Sequence, residues 1–363
     1  MLTNHFVSVS AIVAMVSCAG AGSALAADTV FNSSTPTGDR VNYPFFGNGS
    51  EALIQTFAAV GNPGFDDRDC EGIFSWDITS VPSGFKAAQY RVRSVQFKAR
   101  ATVQSASYAF EYDPTLDPVE SYYPSTDAQY VADTDTGRPI ELCAAGFRNG
   151  ATLMGWTETS AFSTGAPIVP PAEGSRNIFP VGFDDAGNAI DASRNVRLRQ
   201  AITPMAIGLC NLTPGTPIVN NTDFTFDVDL NRVGNLRYVQ SGLSSGRLMF
   251  VLTSLQQAQT MGGGVYPRWY SKEASTILYP GAQPASLSVV VNLCVADVGG
   301  LGGTSEPDGQ LSADDIVVFL RGFFAGDASI ADVAQVGGTI GKDGQLTADD
   351  VIAFLGAFIG GCQ

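Results

Sequence analysis

Histidine is almost missing from this chain of 363 residues, which has a single copy at position 5. His5 falls inside an N-terminal segment that reads as a cleavable leader. The remaining chain therefore has no imidazole for a Ser/His/Asp triad, a Cys/His pair or a histidine zinc site. Basic residues are also scarce, 20 Lys and Arg against 35 Asp and Glu for a net charge of -15, and this excludes nucleic acid and anionic membrane surfaces as partners. Long apolar runs are lacking too, so no transmembrane segment is expected in the mature chain. Glycine (40) and proline (19) stay below the level that marks low-complexity disorder. With 45% apolar residues the chain has enough material for a real core, in one large domain or two.

Phe6 to Val16 is apolar but too short to span a bilayer, and small residues lead from it to Ala24-Leu25-Ala26, a signal-peptidase pattern. Residues 1–26 are thus expected to be a signal peptide. The protein is then exported to the extracellular space or cell surface, with the periplasm as another destination. Met15-Val16-Ser17-Cys18 supports a rival reading, a lipobox with Cys18 lipidated.

Charge marks a boundary near residue 294. From Ala296 onward there are nine aspartates and Glu306, against only Arg321 and Lys342. The region before it, 28–293, reads as β-structure. Val95, Phe97, Ala99, Ala101 and Val103 alternate with polar residues, as do Phe224, Phe226, Val228 and Leu230, and Leu287, Val289, Val291 and Leu293. Leu248 to Leu252 is continuously apolar, as a strand covered on both faces should be. Long helical periodicity is absent there. The expected fold is mainly β, a jelly-roll-like antiparallel β-sandwich followed by a small α-helical module.

That module is an ungapped duplication at an offset of 35, with repeats over 296–326 and 331–361. Asp297 maps to Asp332, Asp308-Gly309-Gln310-Leu311 to Asp343-Gly344-Gln345-Leu346, and Asp314-Asp315 to Asp349-Asp350. Ile316, Phe319, Leu320 and Phe323, and likewise Val351, Phe354, Leu355 and Phe358, recur at i, i+3, i+4 and i+7. Each repeat is therefore a loop followed by a one-faced helix, and the two stripes should pack on each other.

Each loop follows the logic of an EF-hand calcium site, in which oxygen ligands come from positions 1, 3, 5, 7, 9 and 12 around a glycine at 6. Asp308 at position 5 places Gly309 at 6, the Gln310 carbonyl at 7, Ser312 at 9 and Asp315 at 12. Asp343, Gly344, Gln345, Thr347 and Asp350 occupy the same places in the second repeat. Positions 1 and 3 fall on Thr304 and Glu306, and on Thr339 and Gly341. The loop is therefore read as expanded, with Asp297 and Asp332 folded back as the first calcium ligands.

Residues 294–363 resemble dockerins, and more narrowly the GC-type dockerin domains of exported bacterial proteins, which begin near a cysteine and end in Gly-Cys. Cys294 and Gly361-Cys362 match that description. The resemblance implies a cohesin-like or other cell-surface protein as partner, read by Ala313-Asp314 and Ala348-Asp349. Their near identity allows binding in two orientations. Cys294 and Cys362 bracket the module, whose pseudo-symmetry should bring its ends together, and a bond between them would stabilise it by about 4 kcal/mol. Cys70, Cys143 and Cys210 cannot all pair within the chain.

Three stretches of the large region resemble the DNRLRE-type domain, carbohydrate-binding module family 96. They are Trp76-Asp77-Ile78-Thr79 with Pro82 and the strand from Val92; Asp227-Val228-Asp229 followed by Tyr238, Gly242, Gly246 and Leu248; and Tyr270-Ser271-Lys272-Glu273-Ala274 with Pro284, Leu287 and Val289. The interval of about 105–215 is read as an insertion. The resemblance implies a jelly roll and a polysaccharide ligand, for which exposed aromatic faces are the natural platform. Candidates are Trp269 and Tyr270 after Gly262-Gly263-Gly264, and Tyr122, Tyr123 and Tyr130. Paired carboxylates need no histidine. Glu111 with Asp113, the group Asp66, Asp67, Asp69 and Glu71 around Arg68, and the group Asp184, Asp185 and Asp191 are the acidic candidates, but none has a spacing that nominates a mechanism. The expected function is non-enzymatic binding or structure. The alternative is a carboxylate glycosidase or lyase carried by the same module.

Overall fold

The computed structural model describes residues 28–44, 49, 51–62, 64–103, 109–164, 175–258 and 265–362. The expected leader with His5 and Cys18, and the Gly262-Gly263-Gly264 run, lie outside the described residues. Contacts divide the described chain into two compact units, one of 28–293 with 307–309, the other of 294–306 with 310–362.

The larger unit is mainly β. Its strands are β1 (Thr29–Ser33), β2 (Gly38–Asn42), β3 (Leu53–Gln55), β4 (Phe57–Ala58), β5 (Arg68–Asp77), β6 (Tyr90–Thr102) and β7 (Ile140–Phe147), followed by β8 (Ile178–Phe183), β9 (Ala189–Asp191), β10 (Ala206–Ile207), β11 (Thr222–Asp227), β12 (Arg247–Ser254), β13 (Arg268–Tyr270) and β14 (Ser286–Leu293). They form two antiparallel sheets. One runs β1-β14-β6-β13-β3 with β11 also on β6; the other runs β2-β5-β12-β7-β8-β9, with β4 on β5 and β10 on β7. Alternation explains the first sheet, since Val95, Phe97, Ala99 and Ala101 of β6 and Leu287, Val289 and Val291 of β14 point into the core. Leu248–Leu252 of β12 lies between β5 and β7 and is wholly buried, as a central strand covered on both faces must be. Aromatic rings join the two sheets: Phe97 of β6 meets Phe74 and Trp76 of β5 with centroids 5.3 and 5.7 Å apart.

The interval 105–215, expected as an insertion, supplies β7, which pairs with β12 at the centre of the second sheet, and β8, β9 and β10. The larger unit also holds a helix, α1 (Val233–Ser245), closed by Gly246 at φ 80°. It buries Asn235, Val239, Gly242 and Leu243, and its Tyr238 hydroxyl accepts from the Ala145 N–H at 3.0 Å.

The smaller unit contains α2 (Ala313–Ala325), the short α3 (Ala328–Ala331) and α4 (Ala348–Gly360). Phe319 of α2 and Phe354 of α4, equivalent positions of the two repeats, stack at 4.0 Å between centroids, so the two apolar stripes do pack on each other. A disulfide joins Cys294 to Cys362 across 68 residues, whereas Cys70, Cys143 and Cys210 are free thiols. Among the described residues no helix is long and apolar enough to cross a membrane.

Candidate functional site

The acids of the duplicated unit are hydrogen-bond acceptors for its own backbone. Asp315 is the third residue of α2, and its Oδ1 accepts from the N–H of Val298 (2.9 Å) and of Gly299 (2.8 Å), while Oδ2 accepts from Ser312 (2.8 Å). Asp350 repeats the arrangement with Val333 (2.8 Å), Ala334 (2.9 Å) and Thr347 (2.8 Å). Ser312 and Thr347 return the bond as N-caps, which completes a capping box at each helix start. Asp332 folds back onto loop positions 5 and 6, accepting from Asp343 (3.2 Å) and Gly344 (2.8 Å). Asp343 accepts from Val336 and Gln345, Asp349 from Gly337, and Asp314 from Gly302.

An EF-hand calcium would draw on these same carboxylate oxygens. Such a site needs both oxygens of the position-12 acid on the metal. Oδ1 of Asp315 and of Asp350 each accepts two N–H donors, which engage both lone pairs of that oxygen in this structure. The side chains of Asp314 and Asp349, expected to face a partner, are likewise engaged inside their loops. The unit also presents large apolar side chains outward. Val317 and Phe324 of α2 are 57% and 75% exposed, and their counterparts Ile352 and Ile359 of α4 are 67% and 66% exposed. Each pair is seven residues apart, so each helix carries an outward apolar stripe opposite its buried one.

In the sandwich the aromatic candidates do not share one exposed face. Trp269 is fully buried, its indole N–H donating to Thr56 Oγ1 at 3.2 Å and its ring edge-on to Phe224, because β13 lies between β6 and β3. It is a core residue and not a platform. Tyr123 is buried beneath the Arg199 guanidinium, and Tyr122 lies beneath Arg138 with its hydroxyl donating to Asp117 Oδ2 at 2.8 Å. Tyr130 is exposed. Tyr270 is buried except at its rim, where its hydroxyl donates to Asn221 Oδ1 at 3.1 Å. That rim belongs to a cleft of ≈ 610 Å³, lined by Arg268, Tyr270, Tyr279, Asn220 and Asn221. Tyr279 was not singled out in the sequence; the turn-forming Tyr279-Pro280-Gly281 step is the signal that would have found it.

The acidic cluster around Arg68 is a buried ion-pair network. Arg68 bridges to Glu141 at 2.5 Å, Arg176 to Asp66 at 2.7 Å and also to Glu71, and Arg194 to Asp66. Asp184 caps its own turn, accepting from the N–H of Asn188 at 2.8 Å. Sequence reasoning passed over a further group, Asp39, Glu158 and Glu273, gathered around Lys272. Lys272 Nζ is 2.6 Å from Glu158 and is also paired with Glu273. Burial, reinforced by Glu273, pushes the Asp39 carboxyl up to about 8, but Asp39 is wholly enclosed. A raised carboxylic acid is available for general-acid chemistry only where substrate can reach it. Comparison of the chain with family models, with curated proteins and with solved structures gives no match.

Proposed function

We propose that the chain is an exported, non-enzymatic binding protein, in which a glycan-binding β-sandwich is held at a cell surface by its duplicated C-terminal unit. The observation that carries this reading is the repeated outward stripe, Val317 and Phe324 matched by Ile352 and Ile359. Large apolar side chains at equivalent positions of both repeats offer a partner protein two similar docking ridges. Such ridges suit the dockerin-like role implied by Cys294, the double Asp-Gly-Gln-Leu loop and Gly361-Cys362. The Arg268, Tyr279 and Asn221 cleft supports a glycan as ligand for the sandwich, since it sets the rings of Tyr270 and Tyr279 among side-chain donors and acceptors suited to hydroxyl groups.

Cell fractionation tests the attachment. The full chain should remain with the envelope of the cells that produce it. A V317D/F324D/I352D/I359D variant should pass into the medium with its folding intact. Equal retention of both would remove the docking assignment. A glycan array tests the cleft: Tyr279→Ala and Arg268→Ala should each weaken binding, and unaltered binding by both variants would place the ligand elsewhere.

A further inference from the structure

We propose that the sandwich binds a calcium ion in the connection between β6 and β7, through Asp113, Thr115, Asp117 and Asp135. One carboxylate oxygen from each of the three aspartates lies within 4.8 Å of the others. Two of these acids are enclosed: Asp113 is 3% and Asp117 8% exposed. Asp113 Oδ1 accepts from the Thr115 N–H at 2.8 Å, but its Oδ2 is buried with no hydrogen-bond partner. A buried charged oxygen without a donor is among the least favourable arrangements a fold can hold, and it points to a cation at that position.

Two further features point the same way. Thr115 Oγ1 stands 2.7 Å from Asp113 Oδ1 and 2.7 Å from Asp135 Oδ2. A hydroxyl carries one proton and donates to one of them; the remaining contact sets lone pair against lone pair. A cation among the three oxygens turns that repulsion into shared ligation. Charge balance agrees. Asp113, Asp117, Asp133 and Asp135 crowd the connection, and among the described residues Arg138 is the one cationic side chain paired with them, at 2.6 Å from both Asp117 and Asp133.

The donor chemistry selects the ion. All the ligands are hard oxygens, and Asp113, Thr115 and Asp117 alternate along the chain as the first three side-chain ligands of a calcium loop do. The irregular connection suits the flexible coordination of calcium better than the strict octahedron of magnesium. Asp135 approaches from the returning segment, so the ion would tie the two ends of the connection together. Between those ends lie Val119 and Tyr123, which pack with Ala58, Val196 and Leu255 in a separate apolar cluster.

Calorimetric titration of the full chain, stripped with chelator and titrated with calcium chloride, tests the site. One saturable event is expected, with a dissociation constant on the order of 10⁻⁴ M or tighter. Asp135→Asn changes an exposed side chain and should fold. It should weaken binding roughly tenfold or more, and Asp113→Asn should weaken it further. No heat of binding at millimolar calcium would overturn the proposal and leave a proton on Asp113 as the neutralising species. Calcium binding that survives in both variants would overturn it as well, by placing the ion elsewhere.

Discussion

Acidic loops occur in both units, and the source of their hydrogen-bond donors separates them. In the duplicated unit Asp315 and Asp350 lie against helix starts and tight turns, where backbone N–H groups are plentiful, and each takes three of them. In the β6–β7 connection Asp113 Oδ1 takes the Thr115 N–H, and Asp113 Oδ2 has no donor. The same residue type, equally buried, is thus satisfied by amides in one place and left short of a partner in the other. An Asp-rich loop indicates a metal only after its backbone donors have been counted.

The comparison can be strained from both sides. The largest effect should come from the disulfide. Cys294→Ser with Cys362→Ser should destabilise the C-terminal unit by about 4 kcal/mol and leave the sandwich transition in place, as read by scanning calorimetry of the full chain. Next, Asp350→Ala removes the acceptor of three backbone donors and should cost that unit about 3 kcal/mol. Asp350→Asn keeps one oxygen and should cost less. A metal-ligand role predicts instead that both substitutions abolish calcium binding alike.

In the sandwich, Asp39 gives a pH signature. Its carboxyl titrates near 8 in the folded chain against an ordinary 3.8, so the folded state holds more protons between those values and stability falls as pH rises through that window. The slope contributed by Asp39 should approach about 1.4 kcal/mol per pH unit. Asp69 and Glu71, raised by burial to about 6 and about 8, act in the same direction, so Asp39→Asn should flatten the melting-versus-pH curve without abolishing it. The smallest effect on stability belongs to the outward stripe. Phe324→Asp and Ile359→Asp should each change it by no more than about 0.5 kcal/mol while weakening surface attachment.

What could be read in advance follows from physical period. Strands such as β6 and β14 were legible because one face is wet, and β12 because neither is. The stacking of Phe319 on Phe354 was legible because the repeat copied one apolar stripe twice. Helix α1 was hidden because its buried face uses Asn235 and Gly242 beside Val239 and Leu243, which weakens the apolar period. Strand β7 was obscured by the long polar segment before it. The aspartates carry two readings: a capping box at Ser312 and Asp315 has the spacing of EF-hand positions 9 and 12, so one pattern serves two chemistries. Only the positions of Val298 and Gly299 decide between them. Trp269 misled because burial of a three-residue strand depends on partners β6 and β3, which are distant in sequence.

The most direct test is scanning calorimetry of the full chain with calcium and with excess chelator, following the two units as separate transitions. Chelation should lower the sandwich transition and leave that of the C-terminal unit where it was. A C-terminal transition that drops with chelator while the sandwich holds would contradict the account.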